Sequence, residues 1–531
     1  MATQTREPAA GAWAPLRVPT FRALWLAILA GNVGTWVHDT AAAWLMADLS
    51  DAPLMIAAVQ SATTVPVVLL ALFAGALADI VDRRRYLMLA QAWMFAVASL
   101  LALLAHRGQL TPELLLMLTF ALGCGAAMSM PAQNATTPEL VPRAMLGSAV
   151  ALGSLSMNIA RSIGPALGGL VVAQFGAAWA FALNALTFLG VLLVLWRWRR
   201  DPAASALPPE RLGGALRSGL RYAAHAPALR AVLVRSAAFL LFGSALAALL
   251  PVVVRSGLQA SANVYGLLLG GIGAGAVAGA LMLPRLRRRW SRDRLVTWAT
   301  LGYAGCMLLA SQVPPIHWLL PAMLLAGFCW ICVLSSLQVA SQMAVAGWVR
   351  ARALSLYIVV FSLGIASGSL LWGTIAQLGS TALALQLAAV GACAALVLVR
   401  SWSLDGSDGL DLAPSAHWPQ PLVSQEPEHD HGPVLITLEY SVADENRGRF
   451  LRLLAQLGQG RRRDGALDWD VFEDSAEPGR YLESFGTASW LEHLRQHERV
   501  SQDDRRLQEA IRELQREPGY PRIRHFIASR P

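Results

Sequence analysis

The chain contains no lysine and little charge of either sign. All 43 of its basic residues are arginine, only 15% of its 531 residues are charged, and 55% are hydrophobic, with a mean hydropathy of +0.47. Soluble globular proteins are about 25% charged, so this composition excludes an ordinary soluble protein and predicts many membrane spans. The net charge of +9 would suit a nucleic-acid binder, but the arginines follow membrane topology, and we expect no nucleic-acid partner.

Cysteines and phosphate-binding motifs are scarce as well. The five cysteines, Cys124, Cys306, Cys329, Cys332 and Cys393, lie in apolar stretches, where a free thiol packs as a small hydrophobe. The sequence has no Walker-type loop, which argues against transport driven by ATP, and we expect no cofactor. We see no cleavable signal peptide, because the first apolar run is too long for one.

Twelve apolar segments are long enough to cross a bilayer as helices. They lie at residues 21–46, 54–78, 86–105, 112–135, 145–175, 178–196, 231–254, 262–284, 295–312, 317–345, 353–377 and 381–400. Arginines concentrate in alternate connections, those after the second, sixth, eighth and tenth segments. Because positive residues stay on the cytoplasmic side, both ends of the chain are predicted to be cytoplasmic in a multi-pass inner-membrane protein surrounded by lipid.

The twelve segments divide into two related sets of six. Gly164–Gly169 in the fifth segment has a counterpart in Gly368–Gly373 in the eleventh, and the arginine-rich turn after the second is echoed after the eighth, in a version that lacks the acidic part. Two such halves related by an axis along the membrane normal are a known transporter architecture. The predicted domains are a cytoplasmic tail at 1–20, a six-helix bundle at 21–197, a cytoplasmic linker at 198–230 and a second six-helix bundle at 231–402.

The composition changes sharply after residue 402. Residues 403–433 are rich in Asp, Ser, Pro and His and are typical of a flexible linker, whereas 434–531 predict a soluble cytoplasmic domain. Its strands are predicted near 434–440, 466–473, 479–487 and 521–528, and its helices near 443–458, 488–498 and 502–516. This β-α-β-β-α-β order is that of a ferredoxin-like unit. The predicted fold class is therefore an all-α membrane protein of twelve transmembrane helices in two pseudo-symmetric six-helix bundles, followed by an α+β ferredoxin-like domain.

The charged turn after the second segment carries the most specific motif. The run Gly75–Arg85, Gly-Ala-Leu-Ala-Asp-Ile-Val-Asp-Arg-Arg-Arg, resembles the loop signature between the second and third helices of the major facilitator superfamily. The strings at 21–25, 138–143 and 158–165 are similar to those of its secretion-effector or enterobactin-exporter-like branch. In the tail, the strings at 461–466 and 489–497 resemble C-terminal domains found in that branch, which are similar to dimeric α+β-barrel monooxygenase-like domains.

The resemblance implies a secondary active transporter, not an enzyme. Such a protein exports small molecules, siderophore- or drug-like, by proton antiport and alternating access, and its tail pairs as a homodimer. Two alternatives stay open: an importer of a small solute, and a membrane-tethered enzyme that acts through the tail. The tail shows no clear catalytic constellation, which disfavours the enzyme.

Two groups of motif residues take their roles from the resemblance. The turn implies a cytoplasmic latch between the halves, formed by Gly75, Asp79, Asp82, Arg83 and Arg84; the simpler interpretation is a charge cluster that only sets topology. The stretch with Gly164, Pro165, Gly168 and Gly169 resembles the antiporter signature of exporters, although generic helix packing through small residues also explains it.

Polar residues inside the predicted spans are candidates for proton coupling or substrate binding, because they are costly in a membrane. They are Asp39, His38, Arg161, Gln133, Asn134, Asn158, Gln338 and Gln342. Asp39 is the best proton carrier, since burial raises a carboxyl pKa toward working pH, unless it lies hydrated near the outer interface. Arg161 either holds an anionic substrate or pairs with Asp39.

Histidines of the tail have one spacing that metals use. His493 and His497 are four residues apart on a predicted helix, with Glu492 adjacent, but His525 is remote in sequence and no third ligand is evident. The linker run His429-Asp430-His431 is similarly weak. We therefore interpret these histidines as surface residues and predict no metal site.

The motif at the turn generates a first prediction. Asp79→Asn should abolish transport of the small-molecule substrate while the protein stays inserted and abundant, because the carboxylate is the acid of the latch signature. Substrate accumulation, measured beside immunoblots of the membrane fraction, checks this. Wild-type transport by a well-expressed variant would remove the latch assignment.

Overall fold

The protein forms two compact units in the computed structural model, which describes residues 13–142, 145–198, 212–407, 410–415, 417–418, 431–516 and 521–528. The first unit contains residues 1–209, 235–336 and 358–401, and the second contains 210–234, 337–357 and 402–531. The His429-Asp430 part of the linker run lies outside the described residues.

The N-terminal half of the first unit consists of long helices joined by short turns. They are α1 (Pro19–Leu49), α2 (Pro53–Ile80), α3 (Arg83–His106), α4 (Pro112–Leu140), α5 (Leu146–Phe175) and α6 (Ala177–Arg197). Three of them begin at a proline, which is favoured at the first helical position because its missing N–H would have no partner there. Asp82 begins α3 as its N-cap, since its carboxylate accepts a hydrogen bond of 2.9 Å from the backbone N–H of Arg85.

The middle of the chain continues with one short helix and six long ones. They are α7 (Leu212–His225), α8 (Pro227–Val252), α9 (Ala262–Arg289), α10 (Arg292–Ser311), α11 (Ile316–Met343), α12 (Arg350–Leu378) and α13 (Thr381–Leu398). The short helix α7 lies in the predicted linker between the halves. A single-turn π-helix at Val253–Gly257 extends α8.

Ten helices of the described residues are long and apolar enough to cross a membrane by length and composition. The other two of the twelve expected spans are α1, with 31 residues, and α10, with 20. Polar groups explain why they fall short: α1 carries His38 and Asp39, and α10 begins with Arg292, Asp293 and Arg294.

The tail folds as an antiparallel sheet covered by helices on one face. Its elements are β1 (Val434–Ser441), α14 (Arg447–Asp464), β2 (Trp469–Glu473), β3 (Arg480–Thr487), α15 (Trp490–Arg499), α16 (Gln502–Arg512) and β4 (Arg522–Ile527). The strand order is β2-β3-β1-β4, with every neighbouring pair antiparallel. This topology confirms the predicted ferredoxin-like unit.

The two faces of the sheet differ in burial. Side chains that alternate along β1 and β3 form a core with the helices, including Val434, Ile436, Phe450, Phe485 and Trp490. Trp469 packs against the same core, whereas Leu435 lies on the opposite, open face and is 44% exposed. The sheet therefore keeps one face that its own helices do not cover.

Two stretches of the tail differ from the sequence-based expectation. Helix α14 runs on to Asp464 rather than ending near 458, and Gly465, with a φ of 143° that favours glycine, ends it. Part of the predicted flexible linker packs on the start of α16: the N–H of Ser415 donates to the carbonyl of Val500 at 2.9 Å, and the N–H of Gln502 donates to that of Ala413 at 3.0 Å.

Candidate functional site

A half-buried polar stripe runs along α1. Asn32, Trp36 and Asp39 are spaced by four and three residues, so they share one face of the helix. Helix α5 lies beside this face: the Asn32 amide donates to the Ser156 hydroxyl at 3.3 Å, and the Arg161 guanidinium lies 5.9 Å from the centre of the Trp36 ring. The fold thus places Asp39 and Arg161 on the same pair of adjacent helices.

His38 lies on another side of α1 from this stripe. It is fully buried and packs against Phe181 of α6, with the ring centres 4.8 Å apart. Neither ring nitrogen has a hydrogen-bond partner in the described part of the chain. The neighbouring Asn184 of α6 is also fully buried, and sequence reasoning missed it because a single asparagine in an apolar run gives no periodic signal.

Glycines of α5 hold the stripe in place. A Cβ on Gly164 would lie 2.4 Å from the Cβ of Trp36, and one on Gly168 would lie 2.9 Å from the Cβ of Thr40. No side chain fits at either position, so α1 rests directly on α5. Pro165 lies within α5 between these contacts.

The two halves of the first unit meet at the helix ends away from the arginine-rich turns; we call this end the arginine-poor side. Asp48 at the end of α1 forms an ion pair with Arg255 after α8. Trp44 stacks on Tyr265 of α9, with ring centres 5.6 Å apart.

Backbone contacts complete this junction, which we call the distal closure. A Cβ on Gly169 of α5 would lie 2.2 Å from the Cα of Gly266 of α9. Between α2 and α12, the Ser61 hydroxyl donates to the carbonyl of Ala366 at 2.8 Å. The distal closure therefore includes an ion pair, a ring stack, a side-chain hydrogen bond and a backbone contact between Gly169 and Gly266 that tolerates no added side chain.

At the arginine-rich end, Arg84 joins the turn to α6. Its Nε and Nη2 donate to the carbonyls of Leu195 and Trp196 at 2.8 and 2.6 Å, which otherwise lack partners at a helix C-terminus. Gly75 and Asp79 lie in the last turns of α2, and Asn134 and Asn158 lie in α4 and α5; the side chains of these four are outside the described set.

The second half has an acid in its arginine-rich turn after all. Asp293, in the first turn of α10, forms an ion pair of 2.9 Å with Arg235 of α8, whose side chain is only 7% exposed. Arg287 of α9 donates to the carbonyl of Ser335 at 3.2 Å. We expected an acid at the position of Pro284 and Arg285, whereas Asp293 lies nine residues after the proline.

The three predicted glutamines lie on α4 and α11. Gln133 is half-buried in α4 of the first unit, and Gln338 and Gln342 are exposed near the end of α11, in the part of that helix that belongs to the second unit. They stay candidates for substrate binding.

The tail histidines form a cluster that is less exposed than we predicted. The Nε2 atoms of His493 and His497 are 3.3 Å apart, and His525 packs on His493 with ring centres 4.8 Å apart, although it is remote in sequence. Burial, with smaller effects of neighbouring histidines and Arg461, lowers the pKa of His493 to about 3 and that of His497 to about 4. Within the described residues, no three metal-ligating side chains are arranged to hold an ion.

Acidification should weaken the tail fold through these histidines. Unfolded histidines bind protons below about pH 6.5, whereas the folded pair stays neutral down to about pH 4. The unfolded state binds more protons in this window, so the free energy of unfolding falls as the pH falls, by up to about 1.4 kcal/mol per histidine and pH unit.

Hydrogen exchange of the β1 and β3 amides in the full-length protein, at pH 7 and pH 5, measures this loss. His493→Phe should reduce the dependence, and His431→Phe, at an exposed position, should leave it unchanged. Protection that does not vary with pH after correction for intrinsic exchange would contradict the assignment.

A wedge at the distal closure should separate the halves. Gly169→Val places a side chain against the backbone of Gly266, whereas Gly153→Val, in the same helix, meets nothing within 4 Å of its Cβ. In a cysteine-free background with Ala43→Cys, an impermeant maleimide added from the arginine-poor side should label the Gly169 variant several-fold faster than the Gly153 variant. Equal labelling would show that the glycine contact does not control access.

Comparison with known families covers almost the whole chain. A sequence profile of the family described as transmembrane secretion effector matches residues 10–531. The chain is 26% identical over 260 residues to the staphyloferrin A transporter of Staphylococcus aureus, covering 48% of this chain and 64% of that protein. It is 32% identical over 272 residues to the enterobactin exporter EntS of Shigella flexneri, covering 50% of this chain and 62% of that protein. The chain thus spans less than two thirds of the length of these curated relatives.

Solved structures share the fold of the helical part. A POT family transporter in complex with 5-aminolevulinic acid has a TM-score of 0.60 at 11% identity, covering 75% of this chain and 98% of that one. A bacterial homolog to the human lysosomal transporter Spinster, in an inward-facing and occupied conformation, has a TM-score of 0.57 at 15% identity, covering 74% of this chain and 97% of that one. The D-xylose-proton symporter has a TM-score of 0.56 at 14% identity, covering 73% of this chain and 99% of that one. These likenesses confirm the predicted fold class of the membrane part.

Proposed function

We propose that this chain, which belongs to the transmembrane secretion effector family of the major facilitator superfamily, exports an anionic small molecule of the siderophore class across the bacterial inner membrane. The observation that carries the proposal is the placement of Arg161 over Trp36, on the face of α1 that also carries Asp39, beside a junction between the two halves. The names of two relatives, a staphyloferrin A transporter and an enterobactin exporter, support the substrate class.

Arg161 supplies the charge that such a substrate needs. It lies near the middle of α5, which runs from Leu146 to Phe175, and arginine binds carboxylate and similar oxygen anions through two parallel hydrogen bonds. Its position over Trp36 adds an aromatic surface at the same place. An anion bound there would gain from a site that is largely shielded from water.

Asp39 supplies a group that can exchange a proton with each transport cycle. It lies on the same face of α1 as Trp36, so its charge and that of an anion at Arg161 would repel each other. Protonation of Asp39 would favour the bound anion, and loss of the proton would favour its release. This competition is the simplest route to coupling between substrate and proton movement.

The distal closure acts as the gate on the arginine-poor side. Its ion pair, Asp48 with Arg255, joins the two halves directly, and a rocking motion of one half against the other is the usual form of alternating access. Export then requires this junction to open while the halves close at the arginine-rich end, around the turns that contain Arg84 and Asp293.

The open sheet face of the tail supports pairing with a second copy. Leu435 and Phe526 are register partners on this face, 44% and 49% exposed, and Phe472 is 54% exposed. Arg524 at one edge and Asp470 at the other lie on the same face, so two sheets packed with opposite edges together would match in charge as well as in apolar surface.

Replacement of Asp39 should separate transport from the proton gradient. Asp39→Asn keeps the shape but removes the titrating group, so a collapsed gradient should change substrate efflux from vesicles at least several-fold less in this variant than in the wild type. Asp51→Asn, at an exposed position just after the same helix, is the matched control. Equal gradient dependence of Asp39→Asn and wild type, at equal starting rates, would remove Asp39 from coupling.

The direction of transport needs a separate measurement. Cells that lack the gene should accumulate more of a labelled siderophore-class substrate than cells that express it, because an exporter lowers the internal pool. Lower accumulation in the deletion strain would favour an importer, and chemical conversion of the substrate that depends on the tail would favour the enzyme.

The dimer can be checked on the full-length protein in detergent. Light scattering should give the mass of two chains, and Phe526→Arg should shift it toward one, because it places a charge in the apolar interface. Glu498→Arg adds the same side chain at an exposed position of α15 and should not change the mass. A monomeric wild type at high concentration would reject the pairing.

A further inference from the structure

Glu492 lies at the centre of an arginine cluster that joins two parts of the second unit. Its carboxylate is 3.6 Å from Arg221 of α7, 2.5 Å from Arg499 and 3.4 Å from Arg495 of α15. Burial alone would raise the pKa of Glu492, but these arginines outweigh burial and hold the pKa below its ordinary value. The carboxylate is therefore ionised at neutral pH and attracts the linker helix as well as its own helix.

Arg499 connects the same cluster to the turn between α11 and α12. Its guanidinium lies 4.3 Å from the centre of the Trp348 ring, and its Nη1 donates to the carbonyl of Asp464 at 2.9 Å. Only 7% of the Arg499 side chain is exposed. A cation stacked on an aromatic face and shielded from water is a stabilising contact, so one arginine holds the end of α14 and the α11–α12 turn together.

Tyr222 of α7 fixes the linker helix to that turn. It is 1% exposed, and its hydroxyl donates to the carbonyl of Ala344 at 3.2 Å and accepts from the N–H of Ala346 at 3.0 Å. Its ring meets the Trp348 ring edge-on, with the centres 5.8 Å apart. The apolar residues packed around these two rings include Ala223, Ala226, Leu229, Val345, Val349 and Ala353.

The two tail strings at 461–466 and 489–497 therefore both contribute residues to this cluster. The first contains Asp464, which also pairs with Arg463 at 2.8 Å, and the second contains Glu492. Helices α8, α11 and α12 each contribute an end to this unit. A contact that holds the linker helix and the α11–α12 turn thus acts on chain segments that lead directly into the membrane helices.

We propose that the tail is an intramolecular clamp. It holds the linker helix α7 and the α11–α12 turn through Glu492, Arg499 and Trp348. It thereby stabilises the conformation in which the distal closure is formed. The proposal rests on the proposed function in that it requires a carrier that alternates between conformations. A clamp can shift such an equilibrium only by contacts that differ between the two conformations. Its release therefore favours the conformation in which the distal closure is open.

The test measures the conformational equilibrium of the full-length protein without any substrate. Spin labels at Asp51 and Gln259, one on each half near the distal closure, report its opening as a longer distance. Arg221→Ala and Trp348→Leu should each raise the long-distance fraction by roughly threefold to tenfold, as expected for the loss of one charge-assisted or ring contact. Arg505→Ala, which removes an exposed ion pair with Glu509 of α16, is the matched control and should leave the distribution unchanged.

A reversible crosslink distinguishes the loss of the clamp contacts from misfolding of the variants. In a cysteine-free background with Arg221→Cys and Glu492→Cys, a short bifunctional thiol reagent should restore the wild-type distance distribution, and its reductive cleavage should return the shifted one. Identical distributions before and after crosslinking, or in the variants and wild type, would overturn the clamp. Because no substrate is used, a failed efflux assay would count against the proposed function and not against the clamp.

Discussion

The direct backbone contact of α5 with its two neighbours is the constraint on which the rest of the membrane part depends. Gly164 and Gly168 admit α1 on one side, and Gly169 admits α9 on the other, each at a distance that no side chain could occupy. This arrangement sets Trp36 beside Arg161 and brings the ends of the two halves together. One helix thereby positions both the candidate binding site and the candidate gate.

Much of this arrangement is predictable from periodic signals. Apolar runs predict the spans, arginine-rich turns predict their alternation, and strand alternation with intervening helices predicts the tail topology, since each depends on residues close together in sequence. The unpredicted contacts are those between residues far apart. Asp48 and Arg255 are 207 positions apart, and nothing in either segment selects the other. The same holds for His525, which reaches His493 only because β4 pairs with β1.

Burial separates residues that the sequence groups together. His38 and Asp39 are both candidates for proton coupling by sequence, but adjacent residues on a helix point about 100° apart. One therefore lies buried against Phe181 and the other on the half-buried stripe. The sequence shows no third metal ligand beside the tail histidines and therefore predicts surface residues, yet Trp490 and His525 pack against His493. A spacing pattern identifies a helix face, but only packing shows what covers that face.

The arginines of the chain have two different structural roles. Arginines of the turns at the membrane, such as Arg84, donate to carbonyls at helix ends, where they satisfy groups that the membrane cannot solvate. Arginines of the second unit instead gather around Glu492, so that a single carboxylate compensates several cations. Removal of that carboxylate would leave like charges facing each other at short range. The contact of the tail with the linker helix therefore includes one acid shared by several arginines, whereas the membrane helices distribute their charge over separate contacts.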